Sequence, residues 1–162
     1  MLSASVRLAP LARTMFTAAL LAAMLSEPAS ALELPNRLQT PGAIVTTDAA
    51  MVCAPGYARN ARKVTPALRN AAFNAYGIPR GRPAYRGGFP SRRRLYALDH
   101  LVPLELGGAN NVRNLWPQPR SEAKDKDRIE KALHAAVCSG QLPLIDAQQR
   151  IERDWVHALT PP

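Results

Sequence analysis

Asp-His-Leu-Val-Pro-Leu-Glu-Leu-Gly-Gly occupies residues 99–108 of the chain, and Asn-Leu-Trp-Pro-Gln occupies residues 114–118. A carboxylate therefore stands beside an imidazole at the end of an apolar, strand-like run, and an asparagine follows later in the chain. Hydrolysis of a phosphodiester bond with one metal ion needs such groups, because an anionic oxygen holds the metal and a base deprotonates water. An amide can hold that base in the required tautomer.

The residues around this stretch predict a β-hairpin. Residues 95–106 form the first strand region, and the glycine- and asparagine-rich residues 107–111 form the turn or loop. The returning strand is predicted over 112–116, and Pro117 and Pro119 are expected to end it.

Three helices are predicted around the hairpin. The first has Thr65 as its cap and Pro66 at its first position, and Gly77 ends it. The second runs over roughly 121–138 and the third over about 143–159. The apolar face of the second helix contains Ile129, Leu133, Ala136 and Val137. The apolar face of the third contains Leu144, Ala147, Ile151, Trp155 and Leu159. Trp155 is expected to anchor the core.

This ordered set of residues resembles the HNH endonucleases, whose core is a β-hairpin plus one helix (the ββα-metal fold). It is most similar to small secreted bacterial members that read Leu-Asp-His-Leu-Val-Pro-Leu-Glu-Leu-Gly-Gly, then Asn-Leu-Trp-Pro, then Lys-Asp-x-x-Glu. The last element occupies residues 126–130 here. The resemblance covers about 95–138, with a weaker likeness over most of the remaining chain. It implies an α+β fold with additional helices around the core, and metal-dependent hydrolysis of nucleic acid.

The resemblance also implies a role for each motif residue. His100 and Asn114 are the expected catalytic residues: His100 is the general base, and Asn114 accepts a hydrogen bond from its ring. Asp99 is the expected metal ligand. The alternatives are a structural histidine, an aspartate paired with an arginine, and an asparagine in an ordinary hairpin turn.

The second metal ligand is where the chain departs from the family, because no histidine falls early in the predicted helix. The resemblance points to Asp127, with Glu130 one turn later. Glu122 and Asp125 are alternatives, since a helical wheel places them beside the apolar stripe and Asp127 opposite. Carboxylate ligands suit Mg²⁺ or Mn²⁺. His134 lies near Asp127 on the wheel and is expected at the surface, with metal binding as the alternative.

Nucleic acid is the expected partner, DNA in the first place and RNA as the alternative. The loop over 78–94 is rich in proline, glycine and arginine, and it directly precedes the Asp-His strand. Arginine forks match phosphate oxygens and stay charged. The arginines expected to bind phosphate are Arg86, Arg92, Arg93 and Arg94. The net charge of +9 also favours a polyanion, although lipid or an acidic cell wall would fit it too.

Residues 1–31 are typical of a signal peptide. Arg7 and Arg13 precede an apolar run over 15–25, and Ala-Ser-Ala at 29–31 suits cleavage. An uncleaved membrane anchor is the alternative. We therefore expect an exported protein, periplasmic or extracellular, in which 32–162 is one domain of net charge +8. We expect this domain to be monomeric.

Cys53 and Cys138 are the two cysteines of the chain, and in an exported protein they are expected to form a disulfide. Two free thiols are the alternative. The expected domain then contains an N-terminal helix and basic loop (32–94), the HNH core (95–140) and a C-terminal helix packed on that core (141–162).

Two other functions fit the same composition. One is an exported basic protein that binds nucleic acid or the cell envelope without catalysis. The other is a hydrolase that acts on another anionic polymer.

Overall fold

A computed structural model describes residues 32–78 and 95–160 of the chain. The predicted signal peptide at 1–31 lies outside the described residues. So do the four arginines expected to bind phosphate, which are Arg86, Arg92, Arg93 and Arg94.

The described residues form a small α+β domain, as the sequence predicts. Its elements in chain order are α1 (Ala49–Val52), α2 (Tyr57–Ala61), α3 (Pro66–Ala75), β1 (Tyr96–His100), β2 (Leu115–Pro119), α4 (Ala123–Cys138) and α5 (Leu144–Arg153). A single 3-10 turn at Leu104–Leu106 lies between the two strands. None of the helices within 32–78 and 95–160 combines the length and apolar character that a bilayer crossing requires.

β1 and β2 form the predicted antiparallel hairpin, but the second strand extends further than expected. Asp99 pairs with Trp116, and the pairing continues to Tyr96 opposite Pro119. Pro117 does not end the strand as predicted, whereas Pro119 is its last residue. N–H groups alternate in direction along a strand, so prolines two residues apart can both occupy positions that need no donor toward β1.

The helices agree with the sequence at their starts more than at their ends. Thr65 caps α3 as predicted, because its Oγ1 accepts a hydrogen bond from Leu68 N. The last helix ends at Arg153 instead of near residue 159. Asp154 is extended there, with φ −161°, and its Oδ1 accepts hydrogen bonds from two later backbone N–H groups. Leu159 therefore lies outside the helix and is 48% exposed.

The hydrophobic core lies between α4, α5 and the long connection from β1 to β2. Trp155 is fully buried in it, as predicted, and its indole Nε1 donates a hydrogen bond to Glu33 O at 2.9 Å. The main contributors are Val52, Leu101, Val102, Leu106, Trp116, Ile129, Leu133, Val137, Leu144, Ala147, Ile151, Trp155 and Ala158. The apolar faces of α4 and α5 thus meet the segment that follows His100.

The predicted disulfide between Cys53 and Cys138 is present, with a Cα–Cα distance of 5.6 Å. It joins the end of α1 to the end of α4. On the chain-entropy model, closing a loop of 85 residues contributes about 4 kcal/mol to stability. The bond is compatible with an extracellular location, where disulfides persist.

The connection between the strands is held closely by backbone contacts. Val45 N donates to Gly107 O, and Ala109 N donates to Ala43 O, both at 2.8 Å. At Gly108 a Cβ atom would lie only 1.8 Å from Val102 O. Only glycine can therefore occupy position 108 without moving the backbone.

We predict that Gly108→Ala lowers the free energy of unfolding by about 3 kcal/mol or more, because the new methyl group collides with a backbone carbonyl. Gly140→Ala is the control. Gly140 has φ +76° but open space around it, so only a conformational cost of about 1–2 kcal/mol applies. Denaturant unfolding of both variants with the disulfide intact measures the difference. Equal destabilisation would contradict the steric argument.

Candidate functional site

His100 is the last residue of β1, and a single amide orients its ring. Asn110 lies in the connection between the strands, and its side-chain Oδ1 is 3.1 Å from His100 Nε2. The other end of that amide, Nδ2, donates to Ala61 O at 2.7 Å. The oxygen of Asn110 is thereby directed at the imidazole, so Nε2 carries the proton. In neutral His100 the lone pair is then on Nδ1, which has no hydrogen-bond partner among the described residues.

The imidazole of His100 favours its neutral form. Burial lowers its pKa, and the positive charges of Arg62 and Lys126 act in the same direction. The hydrogen bond that the ring donates to Asn110 and the charge of Asp99 oppose this shift without cancelling it. A neutral imidazole with a lone pair on one nitrogen is the form that can accept a proton.

Lys126 links α4 to the end of β1. Its side chain is 1% exposed, and Nζ contacts Asp99 Oδ2 at 2.8 Å and His100 O at 2.8 Å. The same Nζ contacts Glu130 Oε1, one turn further along the helix. One ammonium group therefore fixes the carboxylate of Asp99 and the backbone of His100 together.

The charge around Lys126 is predominantly negative. Burial acts to lower the pKa of Lys126, but the carboxylates of Asp99 and Glu130 outweigh it and raise that pKa, so the ammonium stays charged. Burial raises the pKa of Glu130, and the nearby charge of Glu105 adds to the effect. Glu105 Oε1 is itself buried without a hydrogen-bond partner within the described residues. Two carboxylates thus contact one ammonium, and a third lies near Glu130.

The predicted hydrogen bond between Asn114 and the His100 ring is absent. Asn114 is fully buried, and its amide is fully used by the backbone. Oδ1 accepts from Val102 N at 2.9 Å, and Nδ2 donates to Val102 O at 2.9 Å and to Ala109 O at 3.1 Å. The amide therefore closes the loop that carries Asn110, and Asn110 takes the place expected for Asn114 at the imidazole.

The expectation that Asp127 joins Asp99 is also wrong. Asp127 is exposed, because Lys126 and the apolar residues of α4 occupy the face that meets β1. The alternatives Glu122 and Asp125 are used elsewhere. Both carboxylate oxygens of Glu122 accept from Glu33 N, and Asp125 pairs with Arg128. Of the helix carboxylates considered, Glu130 is the one held close to Asp99, through Lys126.

Three residues of the site were not predicted from the sequence. Lys126 lies three residues before Ile129 and seven before Leu133, so it shares their face of the helix. A helical wheel of the sequence therefore already indicates that Lys126 is buried. Asn110 lies in a turn, where an asparagine is ordinary, and nothing local marks it. Arg62 is exposed and close enough to act on His100 by its charge, but it is distant in sequence.

The residues present fit a hard cation bound through one carboxylate. Oδ1 of Asp99 has no partner among the described residues, whereas Oδ2 contacts Lys126. The side chain of Asp99 is 25% exposed. Oε1 of Glu105 is also buried without a hydrogen-bond partner among the described residues. Among the described residues, no three His, Cys, Asp or Glu ligand atoms converge here. Asp99 alone could therefore supply a protein oxygen to a cation, and Mg²⁺ can bind through one or two carboxylates when substrate phosphate and water complete its coordination.

A cavity of about 450 Å³ lies elsewhere, along α5. Arg150, Arg153, Asp154 and His157 are among the residues that line it, and it contains no residue of the predicted site. Its mixed charges give no preference for an anion or a cation. The chemistry-bearing groups at the end of β1 remain the stronger candidate site.

Comparison of the chain with protein-family models, with curated proteins and with solved structures gave no match. The resemblance over 95–138 therefore rests on the motif residues themselves. What the geometry adds is the contact of Asp99 and His100 with one lysine, and the orientation of the His100 ring by Asn110.

We predict that Lys126→Met lowers the free energy of unfolding by about 3–5 kcal/mol, because it leaves the carboxylates of Asp99 and Glu130 without their cation. Lys124→Met on the exposed side of α4 is the matched control and should change stability by about 0.5 kcal/mol or less. Adding Glu130→Gln to Lys126→Met should recover part of the loss. Denaturant unfolding measures all three, and similar values for the two lysine variants would refute the role of the ammonium.

Proposed function

We propose that this chain is an exported, divalent-metal-dependent endonuclease of the HNH type, which hydrolyses phosphodiester bonds in nucleic acid, foremost DNA. The observation that carries the proposal is the arrangement at the end of β1. His100 has a neutral imidazole with a free Nδ1, and its neighbour in the chain, Asp99, has a carboxylate with a free Oδ1. Each group is oriented by a separate side chain. Base and cation ligand are the two groups that such hydrolysis requires.

His100 is the general base in this proposal. Asn110 holds the proton on Nε2, so Nδ1 accepts a proton from the attacking water. The depressed pKa of His100 keeps this nitrogen unprotonated at neutral pH. Lys126 acts on the backbone of the same residue through His100 O, which fixes the end of β1.

Asp99 would hold the divalent cation through Oδ1, with Mg²⁺ or Mn²⁺ favoured by the all-oxygen donors. A cation bound there supplies positive charge for the phosphate and its leaving oxygen. Lys126 holds Oδ2 of Asp99 through a 2.8 Å ion pair, which leaves Oδ1 for the cation. Glu130 contacts the same ammonium, and burial raises the pKa of this carboxyl group to about 7.

Phosphate binding falls to arginines in this proposal. Arg62 lies at the rim of the site and is exposed, so its guanidinium can reach a backbone phosphate. Phosphate binding by Arg86, Arg92, Arg93 and Arg94 stays a prediction, because these residues lie outside the described part of the chain. The net charge of +9 supports a polyanionic substrate, and contacts made to phosphate rather than to base edges give little sequence preference.

One observation favours a second function, an exported basic protein that binds nucleic acid without cleaving it. His100 is only 6% exposed, which restricts the approach of water and phosphate to the ring. In that function Asp99, Lys126 and His100 would serve stability alone. The cleavage experiment separates the two functions.

We predict that the wild-type chain nicks plasmid DNA in the presence of Mg²⁺ or Mn²⁺, and that His100→Ala reduces the rate by about 100-fold or more, as expected for loss of a general base. A chelator should stop cleavage, and excess metal should restore it. His157→Ala is the matched control, because this histidine is 73% exposed and pairs with Asp154.

Asp99→Asn tests the cation ligand in the same assay, and should require a higher metal concentration for half-maximal cleavage. Circular dichroism establishes that each variant is folded. If His100→Ala cleaves as fast as the wild type, the proposed base is wrong. If the wild type binds DNA but cleaves it with neither metal, the binding function replaces the enzymatic one.

We also predict that Arg62→Ala weakens DNA binding and reduces the slope of log affinity against log salt by about one, the loss of one phosphate contact. Arg128→Ala is the control, since Arg128 pairs with Asp125 and lies on the α4 face opposite Lys126. Fluorescence anisotropy at several salt concentrations measures both variants. An unchanged slope for Arg62→Ala would exclude this residue from the interface.

A further inference from the structure

A second group of metal-binding side chains lies at the disulfide, apart from the residues at the end of β1. His134 Nε2 is 3.4 Å from Cys138 Sγ, which follows it by one turn of α4. Cys53 approaches from the end of α1, and the ligand atoms of all three residues lie within 4.8 Å of one another. Within 32–78 and 95–160, no other three His, Cys, Asp or Glu ligand atoms come together in this way.

We propose that reduction of the Cys53–Cys138 disulfide creates a zinc site formed by Cys53, His134 and Cys138. Two thiolates and one imidazole nitrogen are the ligand types that Zn²⁺ prefers. Tetrahedral zinc places such ligand atoms about 3.5–3.8 Å apart, given Zn–S near 2.3 Å and Zn–N near 2.0–2.1 Å. The separation of His134 Nε2 from Cys138 Sγ already lies close to that range.

The conversion replaces the sulfur–sulfur bond by bonds from the three side chains to zinc. A dithiol reduces the disulfide, giving two cysteine thiols and one oxidised dithiol, so electrons and atoms balance. Zinc then replaces the two thiol protons, which are released. His134 Nε2 lies 3.2 Å from Val52 O, and it must give up any proton in that contact so that its lone pair meets the metal, with the proton on Nδ1.

The exposure of the three side chains allows both the reduction of the disulfide and the binding of zinc. Cys138 is exposed, and Cys53 and His134 are partly exposed, so a reductant and a metal ion can reach them. The three ligands leave a fourth tetrahedral position for water. Either form joins α1 to α4, because the disulfide does so covalently and the zinc through its ligands. The oxidised and the zinc-bound states exclude each other, since both use the same sulfur atoms.

The full chain, reduced with a dithiol and desalted without oxygen, tests this proposal. Co²⁺ should bind one to one and give the thiolate-to-cobalt charge-transfer absorption, and Zn²⁺ should displace it. The oxidised chain should show neither signal. His134→Ala should weaken Co²⁺ binding by at least about tenfold, whereas His157→Ala, at the exposed histidine of the turn after α5, should leave it unchanged.

A second measurement covers the case in which reduction loosens the fold. Zn²⁺ at about 100 times its Kd should raise the unfolding midpoint of the reduced chain by about 10 °C, and should slow reoxidation of the two thiols. A chain carrying both Cys53→Ser and Cys138→Ser should show no such shift. The proposal is overturned if the reduced wild type gives no charge-transfer band, if His134→Ala binds Co²⁺ as tightly, or if zinc leaves the reduced midpoint unchanged.

Discussion

The buried ammonium of Lys126 is the constraint on which the arrangement of this domain depends. A charged group with 1% exposure is tolerated only when oxygen atoms surround it, and here those oxygens come from Asp99, Glu130 and the backbone of His100. Two belong to the end of β1 and one to α4 itself. The need to satisfy one cation therefore fixes the rotation of α4 against the hairpin. It also fixes the end of β1, where Asp99 and His100 are consecutive residues.

A second constraint acts on the connection between the strands. The buried amide of Asn114 binds both polar groups of Val102 and also Ala109 O, so it ties the two ends of that connection together. Gly108 permits the close approach, since any side chain there would meet Val102 O. Asn110 is thereby placed beside His100. The motif residue Asn114 influences the imidazole only through the loop that it shapes.

The sequence predicted the class of fold because local chemistry decided it. The cap at Thr65, the apolar faces of α4 and α5, and the pairing of Cys53 with Cys138 each follow from composition or spacing. The site was predicted only in part. Asp99 and His100 are adjacent in the chain, but the choice between Lys126 and Asp127 depends on how α4 is rotated. That rotation results from packing over long sequence distances, which periodicity describes only approximately.

Asp99 shows how the same group can serve stability and chemistry without conflict. A carboxylate has two oxygens, and in this fold Oδ2 neutralises Lys126 while Oδ1 remains on the exposed side. A cation bound at Oδ1 would also lie near the Lys126 ammonium, whose charge repels it. In the proposed function, the anionic phosphate of the substrate would share that cation with Asp99 and so offset the repulsion.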